Sequence, residues 1–324
     1  MVGLSSAQLR SLFVVALVAA TGCSAGPSGS RGGGGDGGGD AGADSAPMDA
    51  PLNSYCENAS SWIHLLTFTW VTEPVLGVSP GVSRADIVRF EPDSGALIPL
   101  GELTCPGAEG VSSMAIDRDG YAWVYYAGTP GLFRVNLSDL SCQTTAFNPA
   151  TDNFGHMGMA FVAESPTAAE ETLFVSGRIP SDDDQGQIAT LNTTTFDIDL
   201  RGNIPKFGEL TGNALGELWA FRATRSPRAV YELDKATGAA LQTFDVESID
   251  TDTSIGASGY AFAFWGGFYY MFYRSAEKHS NDPETTSGIW RLDPATGDIT
   301  TITEDSGYNI VGAGVSTCAP VVIL

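Results

Sequence analysis

One stretch of the chain decides its fold: Gly288-Ile-Trp-Arg-Leu-Asp-Pro-Ala-Thr-Gly-Asp-Ile-Thr-Thr-Ile302. In its first half, Trp290 and Leu292 alternate with residues of other kinds, a period of two that is typical of a β-strand with two different faces. A turn signal follows, because Pro294 fixes φ and Gly297 accepts a positive φ. The second half is rich in β-branched residues, which favour a returning strand. The stretch therefore predicts a β-hairpin.

The same hairpin recurs along the chain at intervals of about 40 to 60 residues, a spacing typical of the blades of a propeller. Each hairpin follows a short aromatic strand, and each aromatic strand after the first follows a strand of small residues. Small residues suit the innermost strand of a blade, where neighbouring blades crowd around the axis. The turn residues of the five copies are Glu91, Asn136, Asn192, Asp234 and Asp293.

The two ends of this repeat predict how a ring closes. The first copy has an aromatic strand at residues 62–70 but no small-residue strand before it, whereas residues 310–315 form such a strand with no blade after it. Pairing the two ends removes both free sheet edges, which otherwise promote aggregation. We therefore predict an all-β fold: a single β-propeller with five four-stranded blades, closed by the C-terminal strand. Six blades remain an alternative if one wide interval contains two copies.

The N-terminus carries export signals. Residues 1–22 are predicted to be a lipoprotein signal peptide, because Arg10 precedes a short apolar run and Ala20-Thr-Gly-Cys23 resembles a bacterial lipobox, in which the cysteine becomes the lipidated first residue. The alternative is an ordinary secretory signal cleaved after Gly22. Residues 23–54 are rich in glycine and aspartate and predict a flexible tether. Residues 55–324 are the predicted propeller domain. We expect an exported outer membrane lipoprotein whose domain lies outside the cytoplasm.

The net charge limits the partners. The formal net charge is −22 at pH 7, so the protein repels phosphate backbones and nucleic acid is an unsuitable partner. We expect membrane association through the lipid anchor, a glycan or protein ligand, a monomeric state and no cofactor. Two aspartate-rich segments, residues 117–120 and 182–184, suggest calcium, but neither continues to a distal bidentate glutamate. No metal site is therefore predicted.

Cysteine usage supports export. With Cys23 assigned to the lipid, four cysteines remain, and they allow three pairings. Two of them lie beside the outer strands of consecutive blades, and the other two lie at opposite ends of the chain, where the ring closes. No two are closely spaced, which disfavours a zinc site. The predicted disulfides are Cys105–Cys142 and Cys56–Cys318.

Loops that precede the inner strands should converge on one mouth of the ring. They carry a mixture of aromatic and polar residues, which is typical of a binding site on a concave surface. The alternative is that the aromatic residues pack between blades. The predicted ligand-binding residues are His156, Lys206, Phe207, Tyr308 and Asn309.

Glu209 is the candidate catalytic residue, because it is the one acid within a predicted inner strand. Five-bladed glycosidases use carboxylates from different inner strands, but this comparison is made at the level of the fold, and no partner for Glu209 can be located from the sequence. The main hypothesis is therefore an envelope-anchored binding or interaction module. The alternatives are a glycoside hydrolase or lyase acting on extracellular polysaccharide, and a purely structural surface protein.

Three segments resemble a known family. They are Ser112-Ser-Met-Ala-Ile-Asp-Arg-Asp-Gly120, Tyr260-Ala-Phe-Ala-Phe-Trp-Gly-Gly267 and Ile310-Val-Gly-Ala-Gly-Val-Ser-Thr-Cys-Ala-Pro320, and they are similar to uncharacterised β-propeller lipoproteins of myxobacteria. The resemblance extends over nearly the whole chain. It implies an envelope location and a propeller fold. It assigns no catalytic residues.

Overall fold

The computed structural model describes residues 56, 61–70, 83–148, 154–179, 182–224, 226–250, 256–281 and 284–322. The predicted signal peptide, the lipidation site Cys23 and the tether lie outside the described residues. The described part belongs to one compact unit, Asp49–Leu324.

The described strands form five four-stranded antiparallel sheets, which are the blades of the propeller. Blade 1 contains β1 (Ile63–Trp70), β2 (Ser83–Glu91) and β3 (Ala96–Leu103). Blade 2 contains β4 (Val111–Ile116), β5 (Tyr121–Tyr126), β6 (Gly131–Asn136) and β7 (Cys142–Thr144). Blade 3 contains β8 (Gly158–Ala163), β9 (Glu171–Ile179), β10 (Asp182–Leu191) and β11 (Ile198–Ile204).

Blade 4 contains β12 (Glu209–Gly212), β13 (Leu218–Arg222), β14 (Ala229–Leu233) and β15 (Ala240–Asp245). Blade 5 contains β16 (Ala257–Trp265), β17 (Phe268–Ser275), β18 (Gly288–Leu292) and β19 (Ile299–Thr303). The last strand, β20 (Ile310–Gly314), belongs to blade 1. A 3-10 turn (Glu247–Ile249) follows blade 4, and one short helix, α1 (Ala276–Asn281), interrupts blade 5.

The C-terminal strand closes the ring, as predicted. β20 pairs with β1 in antiparallel register, with His64 opposite Gly314 and Thr67 opposite Ile310. It also contacts the inner strands of the two neighbouring blades, β4 and β16, and the remaining inner strands contact one another in sequence. The five inner strands therefore surround a central channel, and both ends of the repeat lose their free edge.

The core of the molecule lies between the blades. Five clusters of buried apolar side chains are present, and each joins one pair of neighbouring blades. The cluster between blades 1 and 5 shows the packing: the Phe90 ring meets the rings of Tyr270 and Phe272 edge-on, with centroids 5.7 and 5.9 Å apart. Five clusters for five blades mean that the interface between the first and last blades is packed like the other four.

Small residues allow the inner strands to approach closely at the axis. A Cβ atom added to Gly158 would lie 2.5 Å from the carbonyl oxygen of Gly208, and one added to Gly212 would lie 2.2 Å from the carbonyl oxygen of Phe161. These distances are too short for any side chain, so blades 3 and 4 pack backbone against backbone. This explains the small-residue pattern seen in the sequence.

The repeated turn has the predicted chemistry, with one variation. In the copies at Asp234 and Asp293, the glycine four residues later adopts a positive φ and donates its N–H to the aspartate carbonyl, at 2.8 and 2.7 Å. In the looser copies the equivalent residues are Leu140 and Phe196, with φ of 57° and 63°. Their local hydrogen bonds hold a backbone conformation that only glycine adopts without strain.

Both predicted disulfides are confirmed. Cys56 and Cys318 are bonded across a sequence separation of 262, with Cα atoms 5.7 Å apart. Cys105 and Cys142 are bonded across a separation of 37, with Cα atoms 5.2 Å apart. The first bond ties the C-terminal segment after β20 to the segment that leads into β1, so it reinforces the closure of the ring.

Candidate functional site

The channel has two ends that differ in chemistry. We call the end at which the five inner strands begin the upper face, and the end at which they finish the lower face. The first residues of the inner strands, which mark the upper face, are Val111, Gly158, Glu209, Ala257 and Ile310.

A cavity of about 260 Å³ opens on the upper face, and all five blades contribute to its wall. Two of the predicted ligand-binding residues, His156 and Phe207, line it, and so does Glu209. Residues separated by 200 positions in the chain meet here because each inner strand delivers its first residues to the same point. The remaining lining residues are Val111, Ser112, Met157, Arg178, Thr224, Ala257, Ser258, Gly259, Tyr260 and Val311.

The other three predicted residues lie near the upper face but are not part of this wall. Tyr308 packs against the core cluster between blades 1 and 5. Asn309 accepts a hydrogen bond from the Arg274 guanidinium through its side chain, and its carbonyl accepts the N–H of Phe68 at 2.9 Å. Lys206 precedes Phe207 and has an interaction partner of its own. A contribution of these three residues to binding stays a prediction.

Glu209 begins β12 and is only 5% exposed. Its Oε2 accepts a hydrogen bond from the Ser113 hydroxyl at 2.8 Å. No ion pair joins Glu209 to a cation in the described part of the chain. Burial without a counter-charge raises the pKa of Glu209 well above its usual range, and the Ser113 hydrogen bond offsets only part of this rise. The carboxyl group therefore keeps its proton to higher pH than an exposed glutamate.

Arg178 is positioned by the junction between blades 3 and 4. Two residues before it on β9, the Ser176 hydroxyl donates to the carbonyl of Gly208 at 2.6 Å and accepts the N–H of Gly158 at 3.1 Å. Residues two apart on a strand share a face, so Arg178 continues along this junction towards the cavity. Its guanidinium carbon lies 5.0 Å from the centroid of the Phe207 ring, a cation–π contact.

The polar atoms of Arg178 have no partner among the described residues. Its Nε is buried and makes no hydrogen bond, and no ion pair joins its guanidinium to a described carboxylate. Buried donors are usually hydrogen-bonded in folded proteins. The Nε of Arg89 is also buried without a hydrogen bond, but Arg178 lies at the cavity wall, where a ligand could satisfy it.

Arg178 is one of three arginines at equivalent ends of neighbouring blades. In blades 3, 4 and 5 the aromatic strand finishes at the upper face with an arginine: Leu173-Phe-Val-Ser-Gly-Arg178, Leu218-Trp-Ala-Phe-Arg222 and Met271-Phe-Tyr-Arg274. Our sequence reasoning missed these residues, because it considered only the loops before the inner strands. The signal was present as an arginine that follows the aromatic run in three of the five blades.

Arg274 is buried and is held by neutral groups. Its Nε donates to the Ser258 hydroxyl at 2.9 Å, and another guanidinium nitrogen donates to the Asn309 side chain. Burial lowers the pKa of Arg274. Since Ser258 lines the cavity, a second positive charge lies directly behind its wall.

The other two titratable side chains of the wall, His156 and Tyr260, have shifted pKa values. Partial burial, followed by the nearby Arg178 charge, lowers the pKa of His156, so its imidazole is neutral at pH 7. The Tyr125 hydroxyl donates to the carbonyl of Gly155, the residue before His156, at 3.1 Å. Burial also raises the pKa of Tyr260, with a further rise from Glu209 and an opposing effect of Arg178. Tyr260 therefore lies within electrostatic reach of both groups.

Two other acids, Asp117 and Glu164, follow inner strands and lie at the lower face. Asp117 accepts hydrogen bonds from the Trp123 indole and the Tyr121 N–H, each at 2.9 Å, and so fixes the turn after β4. Glu164, after β8, accepts a hydrogen bond from the Thr172 hydroxyl. Both follow the ends of their inner strands, whereas Glu209 begins one, so these acids do not converge with Glu209.

Two further properties concern the described residues alone. They contain no group of three or more histidine, cysteine, aspartate or glutamate residues arranged to hold a metal ion. Among the same residues, none of the helices has the length and apolar character needed to cross a bilayer.

Comparison with known proteins assigns no family to the chain. No protein-family model and no curated protein matches the chain. Among solved structures the chain is similar to TolB of Acinetobacter baumannii, with a TM-score of 0.41 and 13% identity over 76% of this chain and 54% of TolB, so it spans about half the length of that protein. It is also similar to a Bacteroides fragilis protein described as exported, with a TM-score of 0.34 and 11% identity over 74% of this chain and 76% of the other. The fold assignment rests on the strand order of the chain itself: five four-stranded blades closed by the C-terminal strand.

Proposed function

We propose that this protein is an exported β-propeller that is anchored to the outer membrane through Cys23 and binds a small ligand in the upper-face cavity. One observation carries the binding role: all five blades contribute side chains to a single cavity at the mouth of the channel. Pockets formed where several elements converge are the usual position of ligand sites. The two disulfides support an extracytoplasmic location, since structural disulfides persist outside the reducing cytosol.

The anchor is tested on the mature N-terminus. Mass spectrometry of the protein purified from membranes should find Cys23 as the first residue, carrying acyl groups. A Cys23→Ser variant should appear in the soluble fraction. If the mature N-terminus begins at Cys23 and carries no acyl group, the protein is exported but is not anchored by a lipid.

The binding role is tested by filling the cavity. The purified mature protein is screened on a glycan array and against a library of small metabolites, together with two tryptophan variants. Ser112→Trp places an indole in the cavity wall, and Thr243→Trp places one on the exposed outermost strand of blade 4. We expect at least about tenfold weaker binding for the first variant and unchanged binding for the second. Equal binding by both variants would mean that the ligand binds outside the upper-face cavity.

A second candidate function, glycoside hydrolysis or lyase chemistry on extracellular polysaccharide, is favoured by one observation: Glu209 keeps its proton at a pH where it could act as a general acid. Such hydrolases use two carboxyl groups about 5 to 10 Å apart. Among the described residues of the cavity wall, Glu209 is the single carboxyl group. Binding is therefore the better-supported role.

Hydrolysis can be tested directly with Glu209→Gln, which keeps the shape of the side chain. If the wild-type protein releases reducing ends from a bacterial polysaccharide and this variant does not, catalysis by Glu209 is established. Equal turnover by both proteins would remove Glu209 from the reaction.

A further inference from the structure

We propose that the upper-face cavity is an oxyanion receptor, in which the Arg178 guanidinium binds the carboxylate or phosphate of a small ligand. This inference rests on the proposed binding function and names the chemical class of the ligand. The supporting observation is an arginine at the cavity wall that has no counter-ion among the described residues.

The protein is strongly acidic, so an unpaired cation is unexpected. Acidic residues number 38 against 16 basic ones. Most other arginines in the described structure have carboxylate partners: the pairs include Arg84–Asp86, Arg89–Glu91, Arg118–Glu171, Arg201–Asp199 and Arg228–Glu247. Arg178 and Arg274, both at the upper face, form no ion pair with a described residue, and neither does Arg291, which packs on the Phe268 ring in blade 5. Of these three arginines, Arg178 is the one that lines the cavity.

The Arg178 side chain is held ready for a ligand. Packing against the Phe207 ring limits its freedom, and its buried Nε lacks an acceptor. A guanidinium held in one orientation loses less entropy when it forms paired hydrogen bonds to a carboxylate or phosphate. A ligand oxygen that accepts from Arg178 would also satisfy the buried donor, which costs free energy while it stays unpaired.

The neighbouring groups do not neutralise this charge. Glu209 is the single carboxyl group among the described wall residues, and its burial favours the uncharged acid, which can donate rather than repel. His156 and Tyr260 are both neutral at pH 7, for the reasons given above. Behind the wall, Arg274 holds the Ser258 hydroxyl. The described residues of the wall therefore carry a positive charge and are rich in hydrogen-bond donors.

Size and net charge restrict the ligand further. The cavity, at about 260 Å³, is smaller than the about 300–1,000 Å³ typical of sites for drug-sized ligands. A polyanion would be repelled by the rest of the surface, since the whole protein carries a formal charge of −22. The site therefore suits a small ligand, or the end of a longer neutral one, that carries one oxyanion group and adjacent hydroxyls.

The test uses three probes of similar size: glucuronate, glucose 6-phosphate and glucose. Isothermal titration of the mature protein should show binding of at least one anion and about 10- to 100-fold weaker binding of glucose, the range expected when charge-assisted hydrogen bonds are lost. Glucuronate and glucose 6-phosphate distinguish a carboxylate receptor from a phosphate receptor. Binding of glucose as tight as that of the anions, or no binding of either anion, would overturn the proposal.

Matched variants assign the effect to Arg178. Arg178→Met should weaken anion binding by about 10- to 100-fold, and Arg178→Lys should restore part of it, because lysine keeps the charge but not the planar fork. The control is Arg201→Met in the same blade, where the arginine is exposed and paired with Asp199; it should bind as the wild type does. Thermal unfolding confirms that each variant is folded. Wild-type affinity in Arg178→Met would contradict the assignment.

A spectroscopic readout separates binding from a structural role. Because the Arg178 charge contributes to the lowered pKa of His156, an anion bound to Arg178 should raise the pKa of His156 in an NMR titration. Arg178→Met should raise it without any anion. An unchanged His156 titration on saturation with the tighter anion would place that anion elsewhere. If neutral ligands bind and Ser112→Trp blocks them, the cavity is a binding site and only the oxyanion proposal fails.

Discussion

Arg118 and Arg178 lie at opposite faces of the propeller and differ in their partners. On the lower face, Arg118 is nearly buried and fully partnered: it donates to the Ala168 carbonyl at 2.9 Å and to the Thr317 hydroxyl at 2.6 Å, and it lies 3.6 Å from the Glu171 carboxylate. On the upper face, Arg178 has an aromatic ring beneath it and no carboxylate among the described residues. Arg118 therefore stabilises the fold at the lower face, whereas Arg178 keeps its guanidinium without a described counter-ion at the upper face.

The lower face is closed by the segment that follows β20. Thr317 donates to Glu171 at 2.7 Å, which links this segment to blade 3. Cys318 forms the disulfide with Cys56, and the Pro320 carbonyl accepts the N–H of Gly266 from blade 5 at 2.8 Å. These contacts reach blades on both sides of the closing strand. Ring closure therefore takes place at the lower face, whereas the proposed ligand site lies at the upper face. Each can be perturbed without the other.

The largest change in the free energy of unfolding is expected when the Cys56–Cys318 disulfide at the lower face is removed. Replacing Cys56 and Cys318 together by serine should lower the free energy of unfolding by about 5 kcal/mol on the chain-entropy model, because the closed loop is very long. The matched control replaces Cys105 and Cys142, whose shorter loop predicts about 4 kcal/mol. Denaturant unfolding under non-reducing conditions measures both. A larger loss for the control would contradict the role given to ring closure.

The comparison between the two arginines is tested next. Arg118→Met should cost about 3–5 kcal/mol, because it leaves the buried Glu171 carboxylate without its partner. Arg178→Met should change the free energy of unfolding by less than about 1 kcal/mol, since no ion pair is broken. Arg84→Met, at an exposed pair with Asp86, serves as the control and should also cost less than about 1 kcal/mol. Similar losses for Arg118→Met and Arg178→Met would remove the contrast between the faces.

Acid should weaken the lower half of blade 1 through His64. Burial lowers the pKa of His64 from its ordinary value near 6.5 to about 4. The unfolded chain takes up a proton first as the pH falls, so stability is lost between about pH 6.5 and 4, by about 3 kcal/mol in total. Chemical unfolding at several pH values measures this slope, and His64→Gln should flatten it. An unchanged slope in the variant would assign the acid sensitivity to other groups.

A further effect is expected at Glu209, and its sign is opposite to that of His64. The pKa of Glu209 is raised in the folded state, so the unfolded chain releases the proton first as the pH rises above about 4.3, and stability falls towards the folded pKa. Glu209→Gln removes this loss. The variant should therefore gain stability relative to the wild type between pH 4.5 and 7.5. A relative loss over that interval would mean that Glu209 is ionised and paired in the native state.

Much of the fold could be predicted from the sequence because its determinants are local. Alternation along a strand, the turn at Asp293 to Gly297 and the spare small-residue strand at the C-terminus are each readable within a few residues, and their recurrence predicted the ring. The disulfide pairing followed from the ring. Of the predicted site residues, His156 and Phe207 line the upper-face cavity because they precede inner strands, and Glu209 lines it because it begins one; their role in binding stays a prediction.

The sequence by itself determined the blade and the closing strand, since these depend on periodicity and turn chemistry over short distances. Only the tertiary structure decided that the blades number five and not six, that Arg178 lies on the Phe207 ring without a counter-ion among the described residues, and that Tyr308 packs into the interface between blades 1 and 5. The physical reason is that a missing partner is a property of the whole neighbourhood of a side chain. That neighbourhood is assembled from five blades, and no segment of the chain contains it.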